Sequence, residues 1–204
     1  MNSVILEQIS KSYGDLKVLE NFSVILEQSK TYAIFGDSGC GKTTLLNIIA
    51  GVKKADSGTI YGLGNWHIAY MFQEDRLLPW ETVADNIKLV LNQEHTDTNQ
   101  IIRKVLQLVN LTDFSDYFPN KLSGGMRRRA SLARTLAYLE YMCDKDTNQM
   151  LILDEPFKGI DIALKQHLID YIIFNRKLTQ ITLLVTHDIF EAKYMADVII
   201  SINQ

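Results

Sequence analysis

Proline occurs three times in 204 residues and cysteine twice, and no apolar run approaches the roughly 18 residues a bilayer-crossing helix needs. The two cysteines, Cys40 and Cys143, are far apart and lack metal-type spacing, which excludes a disulfide framework and a zinc module. They read as free thiols in a reducing compartment. The prolines, Pro79, Pro119 and Pro156, stand singly, and no repeat, low-complexity tract or Pro/Gly/Ser linker divides the chain. A basic surplus is also missing. Lys and Arg number 21 against 24 Asp and Glu, a net charge of −3, which makes the chain a poor candidate for sequence-independent nucleic-acid binding. The first ten residues alternate and carry Glu7, unlike a secretory signal. A cytosolic chain is expected, with any membrane role exercised through a partner.

What is there is an ordinary globular balance, 47% hydrophobic and 22% charged. A chain of this length buries about 70% of its unfolded surface without a staple, so one domain is expected. Residues 3–9 and 18–26 are rich in Val, Ile and Leu and read as strands around a turn at 11–15. Residues 31–35, 66–72, 150–153, 181–185 and 198–202 read as further strands. Helical spacing or composition marks 42–50, 83–91, 100–109, 126–141, 162–174 and 189–196. Strands alternating with helices predict a parallel α/β core. The helical stretch predicts an insertion, giving a core lobe of about 1–75 and 149–204 and a helical subdomain of about 76–148.

Gly36-Asp37-Ser38-Gly39-Cys40-Gly41-Lys42-Thr43 fits the pattern G-x-x-x-x-G-K-[ST], between a short apolar strand and a helix. Glycines let successive N–H groups curl inward toward phosphate oxygens, and the helix N-terminus adds a positive dipole end. Lys42 can reach β- and γ-phosphates, and the Thr43 hydroxyl, followed by Thr44, can ligate Mg²⁺. A plain glycine turn is the bland alternative, and the Lys-Thr pair argues against it. A second apolar strand ends in Asp154-Glu155. Paired carboxylates at the C-terminal edge of a buried strand point to Asp154 as a Mg²⁺ holder, directly or through water, and to Glu155 as general base for an attacking water. His187 and Gln73 each follow an apolar strand and are placed at the same edge. Alone, each is equally a polar surface residue.

Leu122-Ser123-Gly124-Gly125-Met126 opens a helix some thirty residues before the Asp-Glu pair. With it, the chain resembles the ATPases of ABC transporters over nearly its whole length, with six motifs in order. The resemblance implies a P-loop NTPase (RecA-like) parallel-sheet core with an N-terminal antiparallel β region and an inserted α-helical subdomain. It implies Tyr13 stacking on adenine, and Gln73 contacting Mg²⁺ and the attacking water. It implies His187 contacting the γ-phosphate and Asp161 communicating across a dimer. It implies a head-to-tail dimer in which ATP on Lys42 of one copy is covered by Ser123 and Gly125 of the other.

The implied activity is ATP hydrolysis that drives solute uptake through membrane permease subunits, with an extracellular solute-binding protein acting indirectly and the chain lying at the cytoplasmic face of the membrane. Cofactors implied are ATP and Mg²⁺. Gln73-Glu74-Asp75-Arg76-Leu77-Leu78-Pro79-Trp80 resembles the importer branch for nitrate, sulfonates, taurine and thiamine precursors. Leu77, Leu78 and Trp80 read as an apolar platform for a permease helix, or else as packing within the helical lobe. Arg127, Arg128 and Arg129 read as a salt-bridged helix face.

Three departures from the family pattern stand out: Met126 in place of Gln, Lys158-Gly159 after the Asp-Glu strand, and a longer polar segment at 140–149. The chain ends soon after Ile202, so no C-terminal regulatory extension is expected. A soluble ABC-type ATPase of DNA repair or translation is the alternative reading, although such relatives carry paired nucleotide domains, zinc modules or coiled-coil inserts. A nucleotide kinase would leave the signature, Gln73 and His187 unexplained.

Overall fold

The computed structural model describes residues 3–37, 39–91, 98–141 and 147–202. They fall into two compact units, one within Met1–Tyr70, Lys145–Glu155 and Arg176–Gln204, the other within Met71–Asp144 and Pro156–Asn175.

The first unit begins with two long strands, β1 (Ser3–Tyr13) and β2 (Leu16–Glu27), paired antiparallel from Ser3 opposite Glu27 to Tyr13 opposite Leu16. The turn is tighter than the composition of 11–15 suggests. Only Gly14 and Asp15 lie outside the strands, with Gly14 at a φ of 60° that glycine tolerates without cost. Tyr13 is therefore the last residue of a strand rather than a turn residue. A strand absent from the sequence reading, β4 (Ser57–Tyr61), pairs on the other side of β1. It is short and mostly exposed, so it carries no apolar run or clean alternation.

The second sheet contains β3 (Thr31–Phe35), β5 (Trp66–Met71), β6 (Asn148–Asp154), β7 (Gln180–Val185) and β8 (Val198–Ser201), in the order β5-β6-β7-β3-β8. The pairs β6–β7, β7–β3 and β3–β8 are parallel. All six residues of β7 and six of the seven in β6 are buried, as the apolar runs predict for a sheet covered on both faces. Helices α1 (Lys42–Ile49) and α6 (Ile189–Met195) pack along β7 and β3. Ile34, Leu45, Leu46, Ile49, Met150, Ile152, Leu183 and Val185 belong to the core, each contributing about 1.5–3 kcal/mol by burial. Asp197 accepts from the Thr31 amide at 2.7 Å and from Arg176 at 2.6 Å, which pins the start of β3.

The second unit is helical: α2 (Val83–Lys88), α3 (Thr98–Leu108), α4 (Gly124–Tyr141) and α5 (Ile162–Phe174), with 3₁₀ turns at Thr112–Phe114 and Pro119–Lys121. Thr82 caps α2 by accepting from the Asp85 amide at 3.1 Å, and the helix ends earlier than the apolar spacing through 91 suggests. Asp161 caps α5 by accepting from the Leu164 amide at 3.0 Å. Helix α4 packs against α2 and α3 through a buried stripe that includes Ala130, Leu132, Ala133, Leu136 and Ala137, and Lys104 pairs with Glu140 at 2.7 Å across α3 and α4. None of the described helices is long and apolar enough to cross a membrane.

Candidate functional site

Three neighbouring parallel strands of the first unit end at the same edge. Ile34 of β3 and Asp154 of β6 both sit level with Val185 of β7. The segments that follow, Gly36 onward, Glu155, and Thr186-His187, are therefore brought together although up to 150 residues separate them in sequence. This is the C-terminal strand edge at which α/β proteins place ligands.

The loop from Gly36 curls into α1. Gly41, at φ 101°, forms the cap; a Cβ there would stand 2.7 Å from the Val18 side chain and 2.8 Å from its carbonyl oxygen, so only glycine fits. Gly36 and Gly39 complete the bend, Asp37 is exposed, and Cys40 is buried with its thiol 3.8 Å from the Lys42 Nζ. Ser38 lies outside the described residues, as does Cys143. Lys42 is buried, and its ammonium donates to the carbonyls of Gly36 at 2.8 Å and Asp37 at 2.7 Å, which places the charge inside the loop. The Thr43 hydroxyl donates to Asp154 Oδ2 at 2.8 Å.

Among the described residues no group of three or more His, Cys, Asp or Glu could hold a metal alone. Mg²⁺ typically uses one or two protein oxygens and takes the rest from phosphate and water, so the Thr43 hydroxyl and the buried Asp154 carboxylate fit it.

Glu155 follows at φ 50°, a left-handed conformation that is uncommon for a non-glycine residue and accumulates at functional sites. Its amide donates to the Val185 carbonyl at 2.8 Å, and its carboxylate, 12% exposed, lies 2.8 Å from His187 Nε2. The histidine is held between two anchored neighbours. Thr186 donates its hydroxyl to buried Glu191 at 2.5 Å and accepts from the Asp188 amide at 3.0 Å, and Asp188 caps α6.

Tyr13 is half-exposed, with Lys53 Nζ donating to its hydroxyl at 2.8 Å and Lys11 also over the ring. The Lys53 bond, then one from Thr44, holds the phenol below its usual range. Asp56 joins Lys11 to the Ser12 amide and so steadies the strand end that carries the ring.

In the second unit, Ser123 caps α4 by accepting from the Met126 amide at 3.2 Å, with Ser123 and Gly124 exposed and Leu122 buried. A Cβ on Gly125 would stand 2.6 Å from the Gly159 carbonyl oxygen, so the helix start and the 156–161 loop approach as closely as glycine allows. Gln73 and Asp161 are exposed. The backbone of 78–82 is organised by Asn86, which is fully buried. It accepts from the Leu78 amide at 2.8 Å and donates to the carbonyls of Leu78, Glu81 and Thr82.

A family model for ABC transporters matches residues 19–158. The chain belongs to the ABC transporter family. It is an ATP-binding cassette, the ATPase component of that family. It is 36% identical over 99% of its length to the aliphatic sulfonates import ATP-binding protein SsuB of Zymomonas mobilis, spanning 82% of that protein. It is 34% identical, again over 99% of its length, to the sulfate/thiosulfate import ATP-binding protein CysA of Nephroselmis olivacea, but spans only 60% of it. Its fold matches the dimeric ADP- and Pi-bound cassette MJ0796 with a TM-score of 0.83 at 24% identity, covering 97% of this chain and 93% of that one. The relatives are import subunits, so the repair or translation alternative is not favoured.

Two expectations for this ABC cassette need correction. Leu77 and Leu78 are only half-exposed, so the apolar platform reduces to Trp80, 68% exposed, at the tip of the loop that Asn86 holds. The three arginines do not form a simple salt-bridged face. Arg128 is buried and donates to the carbonyls of Phe72 and Gln73, Arg129 donates to Val109 and Asn110, and Arg127 donates to Leu122. Ion pairs to Asp75 from Arg127 and Arg128 accompany these carbonyl contacts. The contacts of Asn86, Glu191 and Arg128 carry no signal in the sequence, because each engages backbone or loop groups that no motif displays.

Proposed function

We propose that this chain hydrolyses ATP between two head-to-tail copies to drive import of a small solute, as a single cassette domain with a helical subdomain near 76–148. Of the nitrate, sulfonate, taurine and thiamine-precursor group, sulfonates fit the relatives best, and the sulfate/thiosulfate relatives extend the candidates to oxidised sulfur in general. The observation that carries the reading is the edge where Lys42, Thr43, Asp154, Glu155 and His187 converge at the ends of three adjacent strands.

Amides of the Gly36–Thr44 loop and Lys42 would bind the triphosphate, and Tyr13 would stack on the base. Mg²⁺, held by Thr43 and Asp154, would neutralise phosphate charge, and Gln73 is the residue to which the family resemblance gives a contact to the ion and the attacking water. Glu155 takes the proton of the attacking water, and His187 contacts the γ-phosphate. The bond between His187 and Glu155 orients both groups ahead of that step. Leu122 anchors the turn from which Ser123, Gly124, Gly125 and Met126 meet the ATP of the second copy, and Asp161 communicates across the pair. Permease subunits dock near Gln73–Trp80, which would hold the chain at the cytoplasmic face of the membrane, with the solute-binding protein engaged only through them.

The test is Glu155→Gln. Steady-state hydrolysis should fall by about 10²–10⁴ while ATP still binds and shifts the protein to a dimer on a sizing column. Sustained turnover would refute the assignment of the base, and an ATP-loaded monomer would refute the paired arrangement.

A further inference from the structure

Gln73 stands on a loop whose carbonyls have unusual partners. A surface loop normally leaves such groups to water. Here Arg128, which is 5% exposed, directs Nη1 at the carbonyls of Phe72 (2.7 Å) and Gln73 (3.0 Å) and at Asp75 Oδ1 (3.4 Å). Half-buried Arg134 donates Nη1 to the Arg76 carbonyl at 2.8 Å and Nη2 to that of Asp75 at 3.1 Å. The loop closes on itself as well, with the Arg76 guanidinium 3.7 Å over the Phe72 ring and Arg76 at φ 46°. The carbonyls of four residues among 72–76, bracketing and including Gln73, are thus gripped by two permanently charged forks from one helix. The Gln73 side chain itself stays exposed.

We infer that Arg128 and Arg134 are positioning residues for Gln73: two guanidinium groups of α4 clamp the backbone of 72–76 so that its amide is presented from a fixed support. The inference rests on the reading of Gln73 as the contact to Mg²⁺ and the attacking water. A guanidinium is suited to this task because it is never deprotonated and offers several coplanar donors, whereas an ammonium is a single point charge. The same helix starts at Gly124, directly after Ser123, and Arg128 lies one turn further on. The signature end and the Gln73 support are therefore parts of one rigid element, and any displacement of the helix start carries the Gln73 backbone with it.

The experiment uses the full chain with Arg134→Met, Arg128→Lys and Gln73→Ala, singly and in arginine–glutamine pairs. Turnover, ATP affinity by calorimetry, and amide hydrogen exchange across 72–76 and along α4 are measured. Each arginine variant is expected to lose about tenfold in turnover with ATP affinity within about twofold. Exchange should quicken across 72–76 and not along α4, and the loss should vanish on the Gln73→Ala background. Unchanged exchange across 72–76, unchanged turnover beside a slowed Gln73→Ala, or losses that multiply in the pairs would each overturn the clamp. Full turnover in Gln73→Ala alone would remove the reading of Gln73 itself, and the clamp with it. Arg134→Met, at the half-buried position, decides the matter if Arg128→Lys does not fold.

Discussion

The two units hold their functional groups in opposite ways. In the sheet unit, side chains engage one another: Thr43 donates to Asp154, His187 meets Glu155, and Lys42 is drawn into its own loop. In the helical unit, Ser123, Gly124, Gln73 and Asp161 face outward, and what is fixed is the backbone beneath them, by helix caps, a glycine contact and arginines. The first arrangement suits chemistry, where charges must be set before the substrate arrives. The second suits recognition, where a surface must be presented in one shape with its donors free to meet another molecule.

The contrast can be broken at either side. The largest effect is expected from Lys42→Ala, which removes the charge inside the phosphate loop; ATP affinity by calorimetry should fall by about 100-fold or more. Unchanged affinity would mean that the loop does not grip a triphosphate. Ser123→Arg should leave nucleotide binding by the isolated copy intact while abolishing ATP-dependent dimerisation. Normal dimers on a sizing column would place the pairing surface elsewhere.

The smallest effect concerns a support of the sheet unit. Burial pushes the Asp197 carboxyl up, but the Thr31 amide and Arg176 outweigh it, and its pKa lies below the ordinary value. A depressed carboxylate contributes stability above its unfolded pKa of about 3.9 and loses it as pH falls through the folded value. The melting temperature of Asp197→Asn should therefore sit about 1–3 °C below that of the parent at neutral pH. The gap should close below about pH 4; a gap that persists unchanged into acid would show that the ion pair is not its source.

Much of the strand and helix order is legible in the sequence, because buried parallel strands are unbroken apolar runs and α5 shows its spacing over 162–174 exactly where the helix lies. Tyr13 as a strand residue, and β4 altogether, are not legible, since the first depends on pairing with Leu16 and the second lies exposed on a partner strand. At the site, Lys42, Thr43 and Asp154-Glu155 announce themselves by motif. The left-handed backbone of Glu155, the grip of Glu191 on Thr186 and the hold of Asn86 on the 78–82 turn carry no comparable signal. Nor does an arginine run disclose whether its partners are carboxylates or carbonyls.

The sequence by itself determined which groups this ABC cassette owns: a phosphate loop, a carboxylate pair, a signature turn and the residues spaced between them. Those are local facts, written in side-chain chemistry and short-range geometry. Only the tertiary structure decided which groups touch. The level register of β3, β6 and β7 brings distant strand ends together, and the packing of α4 turns Arg128 inward to the Gln73 loop. Such contacts arise from burying the long-range core of each unit, whose pairings depend on residues far apart in the sequence.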